Sequence, residues 1–285
     1  MFTGFCNNID KYGIEAAAKY AKDCGFDGVE FFYMARDPKN VPDIEEARKY
    51  KEVLDRVGLE VPCVSVGVTL VRNDNPEKIC QSDLDGLLRA LDFAAAVGAK
   101  YLHHTLILTL EKENLEGLTY DGVFPLVMEA AKIAANKAAQ LGITVLYEPQ
   151  GAFFNGEEGF DKFYTEIKKY CKNVGVCGDV ANTCWVSEFP YSFIEKYSSE
   201  IYHAHLKDYL LSDCAGEDYG PALRGPMYIK AIPIGEGDLD FKRLLEIYRS
   251  HGYSAYYSLE DGPNVTSKER IASIMEYLKS TYEQK

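Results

Sequence analysis

Residues 134–149, AANKAAQLGITVLYEP, run from an Ala-rich amphipathic segment through a glycine into a short apolar segment. Gly142 suits the left-handed backbone position just past a helix end, because a residue with a Cβ atom is strained there. The apolar segment after this glycine predicts a strand. The stretch therefore predicts one αβ unit, in which a helix ends at a glycine and leads directly into a strand.

The same unit recurs along the chain. It occurs four more times, in the segments that contain Gly25, Gly58, Gly98 and Gly252: AAAKYAKDCGFDGVEFF, YKEVLDRVGLEVPCVSV, LDFAAAVGAKYLHH and LLEIYRSHGYSAYYSLE. Three further strands, FTGFCNN, NVGVCGDV and EIYHAHLK, bring the count to eight, and each strand is followed by a helix. Eight βα units in 285 residues predict a (β/α)₈ TIM barrel that forms a single domain, residues 1–285.

A doubly wound open sheet is the alternative fold for such a series of units. No G-x-G-x-x-G sequence follows the first strand, and no P-loop sequence occurs in the chain. No Pro/Gly/Ser-rich linker or change of composition divides the sequence. We therefore expect the closed barrel, which a chain of this length can stabilise without disulfides.

The charge balance argues against two classes of partner. The chain has 31 Lys and Arg against 44 Asp and Glu, a formal net charge of −13. Binding to a polyanion draws most of its affinity from Lys and Arg, so we expect neither nucleic acid nor a membrane surface as a partner. The longest uncharged apolar segment, residues 61–71, is well short of the roughly 18 apolar residues that span a bilayer.

Cysteine usage and the amino terminus indicate the compartment. The eight cysteines form no C-x-x-C pair and no spacing typical of a disulfide framework. The opening sequence, MFTGFCNNIDKYG, has neither a basic start nor the long apolar segment of an export signal. We therefore expect reduced thiols and a cytoplasmic protein.

The polar residues that end the later strands are candidates for a functional site, because catalytic groups of such barrels project from the carboxyl ends of strands. The fifth strand ends at Glu148 in TVLYEPQG. The sixth ends at Asp179 in VGVCGDVAN, and the eighth ends at Glu260 in AYYSLEDG. Three carboxylates are thus expected at one rim of the barrel.

The seventh strand, YHAHLKD, adds imidazoles to this rim. Alternation of side chains puts His203, His205 and Lys207 on the side that faces the barrel interior. His205 lies nearer the rim, so we expect it to be the metal ligand. His203 is expected to be a hydrogen-bonded residue deeper in the barrel.

Three carboxylates within a few ångströms of one another repel strongly in a partly dry site, and a divalent cation relieves that repulsion. An oxygen-rich set with one imidazole favours Mn²⁺, Mg²⁺ or Co²⁺ over a structural zinc site, which prefers thiolates. We expect one divalent metal ion, best matched by Mn²⁺, with Mg²⁺, Co²⁺ or Zn²⁺ as alternatives. For each carboxylate taken alone, the alternative is a helix cap or a surface charge.

The fourth strand ends with two adjacent histidines, in YLHH. One of them reaches the rim while the other packs outward, and alternation alone does not decide which. We expect His103, which shares a face with Tyr101 and Thr105, to reach the rim and contact a substrate.

The strand ends YEP, GDVAN, HAHLKD and SLED, together with GEGDLD before the seventh barrel helix, carry a resemblance to a known family. In these segments the chain resembles the sugar phosphate isomerase/epimerase group of xylose isomerase-like TIM barrels. That group includes the D-psicose and D-tagatose 3-epimerases, the pentulose-5-phosphate 3-epimerases, hydroxypyruvate isomerase and inosose dehydratase. The resemblance covers nearly the whole chain and is more specific for the metal site than for the substrate.

The resemblance implies roles for the residues at the rim. It makes Glu148, Asp179, His205 and Glu260 the metal ligands. In the epimerases the two glutamates also act as acid and base on opposite faces of the substrate. Lys207 is then expected to donate a hydrogen bond to a substrate hydroxyl or to the developing oxyanion.

The sequence departs from the family pattern at two positions. Asn182 stands three residues after Asp179, where many relatives carry histidine and the phosphopentose epimerases often carry asparagine. We expect Asn182 to contact the substrate. The sugar epimerases also carry an arginine shortly before the Gly-x-Gly, where this chain offers only Arg224 and Lys230; Arg224 is the expected contact.

Taken together, these residues predict a metal-dependent epimerase or isomerase of a ketose or ketose phosphate, working by proton abstraction and return through an enediolate. Inosose dehydration and hydroxypyruvate or aldose–ketose isomerisation are alternatives on the same site. More distant are a non-catalytic sugar-binding barrel and an endonuclease IV-like repair enzyme, whose three-zinc cluster needs several histidines, whereas this chain has five in total and Asn182 at one expected ligand position. The expected partner is a small carbohydrate, and the 21 Tyr and 14 Phe favour a homodimer or homotetramer.

The connection after the seventh strand, residues 209–237, is nearly thirty residues long. Loops of this length in compact domains are usually functional, so we expect a lid, with disorder as the alternative. Gly235 and Gly237 are consistent with a turn or with a close approach to a ligand, and Asp238 is expected to cap the helix that begins at FKRLLEIY.

Overall fold

Eight parallel strands form a closed barrel in the computed structural model, which describes residues 1–5, 9–109, 112–260 and 267–283. The barrel strands β1 to β7 and β11 span Phe2–Phe5, Gly28–Met34, Cys63–Gly67, Tyr101–His104, Thr144–Tyr147, Val174–Asp179, Ile201–Leu206 and Tyr257–Leu259. They hydrogen-bond in this order, and β11 pairs with β1 to close the barrel. The predicted (β/α)₈ barrel is therefore confirmed.

A helix follows each of these strands. The helices α1 to α8 span Ile9–Asp23, Ile44–Val57, Gln81–Val97, Tyr120–Gln140, Glu157–Tyr170, Tyr191–Tyr197, Phe241–Ser250 and Lys268–Glu283. None of the helices in these described ranges has the length and apolar content that crossing a lipid bilayer requires.

The predicted helix–glycine–strand unit is present. At Gly58, φ is 69°, and its N–H donates to the carbonyl oxygens of Leu54 and Asp55 at the end of α2. This left-handed conformation closes the helix and turns the chain into β3. The other glycines predicted at helix ends also have positive φ: Gly25, Gly98, Gly142 and Gly252.

Alternation along the strands divides the core into two regions. In β3, Val64 and Val66 belong to the large apolar core that the barrel shares with the helices. Cys63 points inward and packs with Leu146 and Cys177 in a small separate cluster. Ser65, one step further along the strand, makes polar contacts inside the barrel. The barrel interior is therefore apolar at the level of Cys63 and polar from Ser65 towards the carboxyl ends of the strands.

The connection between β7 and α7 is folded. Its strands β8, β9 and β10 span Asp208–Ser212, Gly220–Pro221 and Tyr228–Ile232. They form an antiparallel sheet in the order β8, β10, β9, with Lys230 paired to Leu210. The segment is thus an ordered small sheet and not a disordered loop, while its role as a lid stays a prediction. Residues 208–239 are named the insertion below.

The carboxylate of Asp208 links the two ends of the insertion. Its Oδ2 accepts hydrogen bonds from the N–H groups of Gly235 at 3.0 Å and Gly237 at 2.9 Å. A Cβ atom at Gly237 would lie 2.1 Å from Oδ1 of Asp208, so only glycine fits there. The Gly-x-Gly sequence therefore forms a turn around Asp208 in this structure.

The predicted cap of α7 was wrong by two residues. The side chain of Asp240 accepts a hydrogen bond from the N–H of Arg243 at 3.0 Å and caps the helix. Asp238 lies further from the helix start, and its side chain accepts a hydrogen bond from the N–H of Leu211 at 2.7 Å. Asp238 thus closes the insertion, whereas Asp240 begins the helix.

Candidate active site

The carboxyl ends of four neighbouring strands bring four predicted ligands together. Nδ1 of His205 lies 3.0 Å from Oε2 of Glu148 and 3.9 Å from Oε2 of Glu260. One ligand atom from each of Asp179, His205 and Glu260 falls within 4.8 Å of the others. The strand register explains the convergence, because Asp179 pairs with His205 across β6 and β7, and β11 pairs with β7 on its other side.

Glu148, which directly follows β5, is held by two imidazoles. His205 contacts its Oε2, and Nε2 of His103 lies 3.3 Å from its Oε1. Burial alone would raise the pKa of Glu148, but His103 and His205 outweigh it and hold the pKa well below its usual range. Glu148 is therefore a carboxylate at neutral pH.

The two adjacent histidines of β4 point in opposite directions. His103 enters the barrel and contacts Glu148, as alternation allowed. His104 packs its ring edge-to-face on Tyr147 with the ring centres 5.0 Å apart, and its Nδ1 lies 2.7 Å from the carbonyl oxygen of Thr105. Burial lowers the pKa of His104 to about 4, so this outward-facing imidazole is neutral.

Lys207 joins the rim through two carboxylates. Its Nζ lies 2.9 Å from Oδ2 of Asp179 and 2.5 Å from Oε2 of Glu260. Its side chain is only 10% exposed. Burial opposes the charge, yet Asp179 and Glu260 raise the pKa of Lys207 well above its usual value. The ammonium group is therefore positioned to donate a hydrogen bond within the site.

Asp179 ends β6 and is fixed by the backbone that follows it. Its Oδ1 accepts hydrogen bonds from the N–H groups of Ala181 at 2.8 Å and Asn182 at 2.7 Å. Its Oδ2 is buried and forms an ion pair with Nζ of Lys207 at 2.9 Å, but the geometry of this contact is not that of a hydrogen bond. Burial, with Glu148 and Glu260 close by, raises the pKa of Asp179 to about 6 despite Lys207.

The chemistry of this donor set fits a divalent metal ion. Two groups share His205: ligand atoms of Asp179 and Glu260 lie within 4.8 Å of it and of each other, as do those of Glu148 and His103, and Oδ2 of Asp179 is left with an unused lone pair. Burial raises the pKa of the nearby Cys177 thiol to about 12, so this thiol is protonated at neutral pH. Oxygen-rich sets of this kind suit hard divalent cations better than thiolate-loving ones.

Glu30, on β2, belongs to the site but sequence reasoning missed it. It is fully buried, and its carboxylate contacts His203, His205 and Ser65. Burial would raise the pKa of Glu30, but His203 and His205 hold it well below its usual range. A glutamate inside the apolar strand GVEFFYM is the signal that could have found it, since glutamate is rarely buried without a partner.

Two predicted substrate contacts lie in different surroundings. Asn182 is buried beside Asp179, and its Nδ2 has no hydrogen-bond partner among the described residues. Arg224 is exposed on the insertion. Its guanidinium lies beside Gly156, since a Cβ atom added to that glycine would be 2.7 Å from Nη2 of Arg224 and 2.9 Å from Oε1 of Glu188. The structure thus brings Asn182 to the carboxylates and places Arg224 against the start of α5.

Two other residues near the insertion have local partners. Nζ of Lys230 pairs with Asp218 at 3.2 Å. The indole N–H of Trp185 donates to the hydroxyl of Tyr209 at 3.2 Å, with the two rings edge-to-face. Trp185 therefore packs the insertion against the loop that follows β6.

The fold and the site together define a closed parallel barrel with a cluster of carboxylates and histidines at its carboxyl rim. The chain belongs to the family of xylose isomerase-like TIM barrels, which its sequence matches over residues 18–281. This confirms the resemblance carried by the strand ends.

Solved structures with the same fold include 3-keto-D-glucoside 4-epimerase from E. coli, with 19% identity, 98% of this chain and 99% of that chain covered, and a TM-score of 0.72. L-Ribulose 3-epimerase has 15% identity, coverage of 99% and 94%, and a TM-score of 0.73. A xylose isomerase-like TIM barrel protein from Mycobacterium smegmatis in complex with magnesium has 16% identity, coverage of 99% and 96%, and a TM-score of 0.70. At these identities the likeness shows the fold alone, and no curated protein matches the sequence.

Proposed function

We propose that this protein is a divalent metal-dependent epimerase or isomerase of a ketose or ketose phosphate. One observation carries the proposal: Glu148 and Glu260 reach the same imidazole, His205, from β5 and β11, with β6 and β7 between them. Two carboxylates that approach one centre from different strands suit acid–base work on two sides of a substrate. The similar structures named as sugar epimerases support the same reaction class.

Glu148, Asp179, His205 and Glu260 would hold the metal ion. A bound divalent ion would supply a Lewis acid that stabilises the negative charge of the enediolate. Mn²⁺ is our first choice for this oxygen-rich set, with Mg²⁺, Co²⁺ or Zn²⁺ as alternatives. The magnesium complex of a structural relative is consistent with a hard cation at such a rim.

The two glutamates would move the proton. Glu148, kept anionic by His103 and His205, would remove the proton bound to the substrate carbon, and Glu260 would return one to the other face, or the reverse. Lys207 would donate to a substrate hydroxyl or to the developing oxyanion from its position beside Glu260. In aldose–ketose isomerisation the proton would return to the adjacent carbon, and a hydroxyl proton would move between the two oxygens of the enediol.

His103, Asn182 and Arg224 are the proposed substrate contacts. His103 lies at the rim beside Glu148, and the unpartnered Nδ2 of Asn182 can donate to a hydroxyl. Arg224 stands apart on the insertion, so its contact requires a substrate with a distant anionic group, such as a phosphate. Arg224→Ala should then weaken binding of ketose phosphates and leave the free ketoses unaffected.

Solvent deuterium tests the proton-transfer mechanism. The metal-loaded protein is incubated in D₂O with a panel of ketoses, ketose phosphates and inososes, and products are read by NMR at early turnover. We expect deuterium at the reacting carbon, because a carboxylate exchanges its proton with solvent. Product without carbon-bound deuterium indicates a hydride shift and contradicts the two-glutamate mechanism. Dehydrated products from inososes point to the dehydratase alternative.

We also propose a cytoplasmic location and a homodimer or homotetramer. The described cysteines are all free thiols, which is consistent with a reducing compartment. The acidic net charge of −13 is unfavourable for nucleic acid or anionic lipid, so a small carbohydrate remains the proposed partner. Light scattering of the purified protein tests the oligomeric state.

A further inference from the structure

The carboxylate of Glu30 lies inside the barrel and contacts three polar side chains. The hydroxyl of Ser65 donates to its Oε1 at 2.5 Å, and Nε2 of His205 lies 3.1 Å from the same oxygen. Nε2 of His203 lies 2.8 Å from its Oε2. A carboxylate that is 0% exposed needs such donors, and three of them leave it little freedom to rotate.

These contacts continue to Glu148 along two branches. In one branch, Nδ1 of His103 lies 3.0 Å from the hydroxyl of Ser65, and Nε2 of the same ring lies 3.3 Å from Oε1 of Glu148. In the other branch, Nδ1 of His205 lies 3.0 Å from Oε2 of Glu148. One carboxylate on β2 therefore orients both imidazoles that contact Glu148.

The ring orientation of His205 decides which of its nitrogens faces the carboxylates. Nε2 points towards Glu30, while Nδ1 points towards Glu148 and Glu260. When Nε2 carries the proton and donates it to a carboxylate, Nδ1 keeps a lone pair for a metal ion. His203 occupies the second oxygen of Glu30, so Glu30 cannot turn away from His205 without losing a buried hydrogen bond.

We propose that Glu30 is the positioning residue of the metal centre. It holds Nε2 of His205, so that Nδ1 is the coordinating atom, and through Ser65 it orients His103 on the other oxygen of Glu148. Glu30 contacts neither substrate nor metal in this role. The inference rests on the proposed function only in that His205 is taken as a metal ligand.

A different role for Glu30 is a ligand of its own metal ion, because ligand atoms of Glu30, Cys63 and His203 lie within 4.8 Å of one another. The three residues are fully buried and packed against one another. Both oxygens of Glu30 already have partners in the protein, Oε1 with Ser65 and His205 and Oε2 with His203, so its charge is compensated without an ion of its own. Positioning is therefore the role that the geometry favours.

The first test needs no variant. Protein labelled with ¹⁵N-histidine is stripped by a chelator and titrated with Zn²⁺, chosen because it is diamagnetic, and the imidazole nitrogens are read by NMR. His205→Asn assigns the signal of His205. We expect Nδ1 to shift on binding and Nε2 to carry a slowly exchanging proton. Coordination through Nε2 overturns the proposal.

The second test compares Glu30→Gln with Glu158→Gln, the same change on the surface, where Glu158 pairs with Lys162. Calorimetry with Zn²⁺ should show a dissociation constant roughly 10- to 100-fold larger for Glu30→Gln and an unchanged one for Glu158→Gln. Ser65→Ala, which removes only the His103 branch, should stay near the wild-type value. A folded Glu30→Gln with wild-type affinity overturns the proposal.

The outcomes separate this inference from the proposed function. Wild-type protein that binds no Zn²⁺ and no Mn²⁺ overturns both. One bound ion through Nδ1 with unchanged affinity in Glu30→Gln overturns only the role of Glu30. Two bound ions, of which Glu30→Gln loses one completely, show that Glu30 is a ligand and overturn its positioning role.

Discussion

Glu148 and Glu260 are the same residue type at the same rim, but their surroundings differ. The side chain of Glu148 is 3% exposed and lies between His103 and His205. The side chain of Glu260 is 34% exposed, and its shortest contact is to the flexible-stemmed Lys207. One carboxylate is thus fixed from inside the barrel, and the other lies at the solvent side of the rim. Two carboxylates in unlike environments are suited to opposite halves of an acid–base reaction.

Glu148→Gln should have the largest effect on turnover. The amide keeps the shape of the side chain but cannot carry a proton between substrate and solvent, so we expect the rate to fall by roughly 10³-fold. Substrate binding, followed by calorimetry, should remain detectable. Glu158→Gln is the surface control, and near-normal turnover of Glu148→Gln would falsify its role as acid or base.

Lys207→Met tests the outer half of the site through protein stability. Loss of the ammonium leaves Asp179 buried without its cation, so we expect the free energy of unfolding in urea to fall by about 3 kcal/mol. Added Mn²⁺ should recover part of this loss, because the ion takes over the neutralising charge. Lys162→Met, which breaks an exposed pair with Glu158, is the control and should change stability little. A loss equal to that of the control contradicts the importance of the Lys207 contacts.

The pH dependence of stability tests Asp179, which lies between the two halves. Burial raises its pKa to about 6, above the value of about 3.9 in an unfolded chain, so the native state holds this proton more tightly. The contribution of Asp179 to the free energy of unfolding is therefore present below about pH 4 and is lost as the pH rises through about 6.

We expect the stability of wild type relative to Asp179→Asn, measured with a chelator, to fall by about 2 kcal/mol between pH 4 and pH 7. Urea unfolding of both proteins across that range provides the measurement. Taking the difference cancels the other titrating groups that the two proteins share. A difference that is flat or rises with pH rejects the raised pKa.

Glu260→Gln should have the smallest effect on stability. Because Glu260 is partly exposed and Asp179 still pairs with Lys207, we expect the free energy of unfolding to change by less than about 1 kcal/mol. Turnover should nevertheless fall as it does in Glu148→Gln. A stability loss as large as the one expected for Lys207→Met would contradict the partly exposed position of Glu260 at the rim.

The sequence was sufficient for features that depend on local pattern. Glycines after helices predicted five of the units, three further apolar strands completed the eight, and side-chain alternation put His203 and His205 on one face. Glu148, Asp179 and Glu260 could be picked out because each ends or directly follows a strand whose carboxyl end lies at the rim. In each case the signal lies within a few residues of the side chain.

Features that depend on distant contacts could not be predicted in this way. Glu30 meets His205 across 175 residues of sequence, and no local pattern records which side chain lies opposite once a barrel has closed. The sheet of the insertion depends on the pairing of Leu210 with Lys230, whose polar and apolar neighbours do not alternate clearly. The error between Asp238 and Asp240 has a similar cause, because either aspartate can begin a helix and only the pairing with Leu211 decides.

The carboxylate of Asp208 gives the insertion a closed base. Four N–H groups donate to it, from Tyr209, Gly235, Gly237 and Leu239. These hydrogen bonds hold both ends of the segment together at the barrel. The entropic cost of bringing the two ends of a loop together grows only slowly with the length of the loop, so the length of the tip has little effect on this cost. The hydrogen bonds that hold the base of the insertion consequently do not depend on the residues of the tip between β8 and β10. A change in the length or sequence of this tip should leave the hydrogen bonds at its base, the strand register and the carboxylates at the rim unchanged.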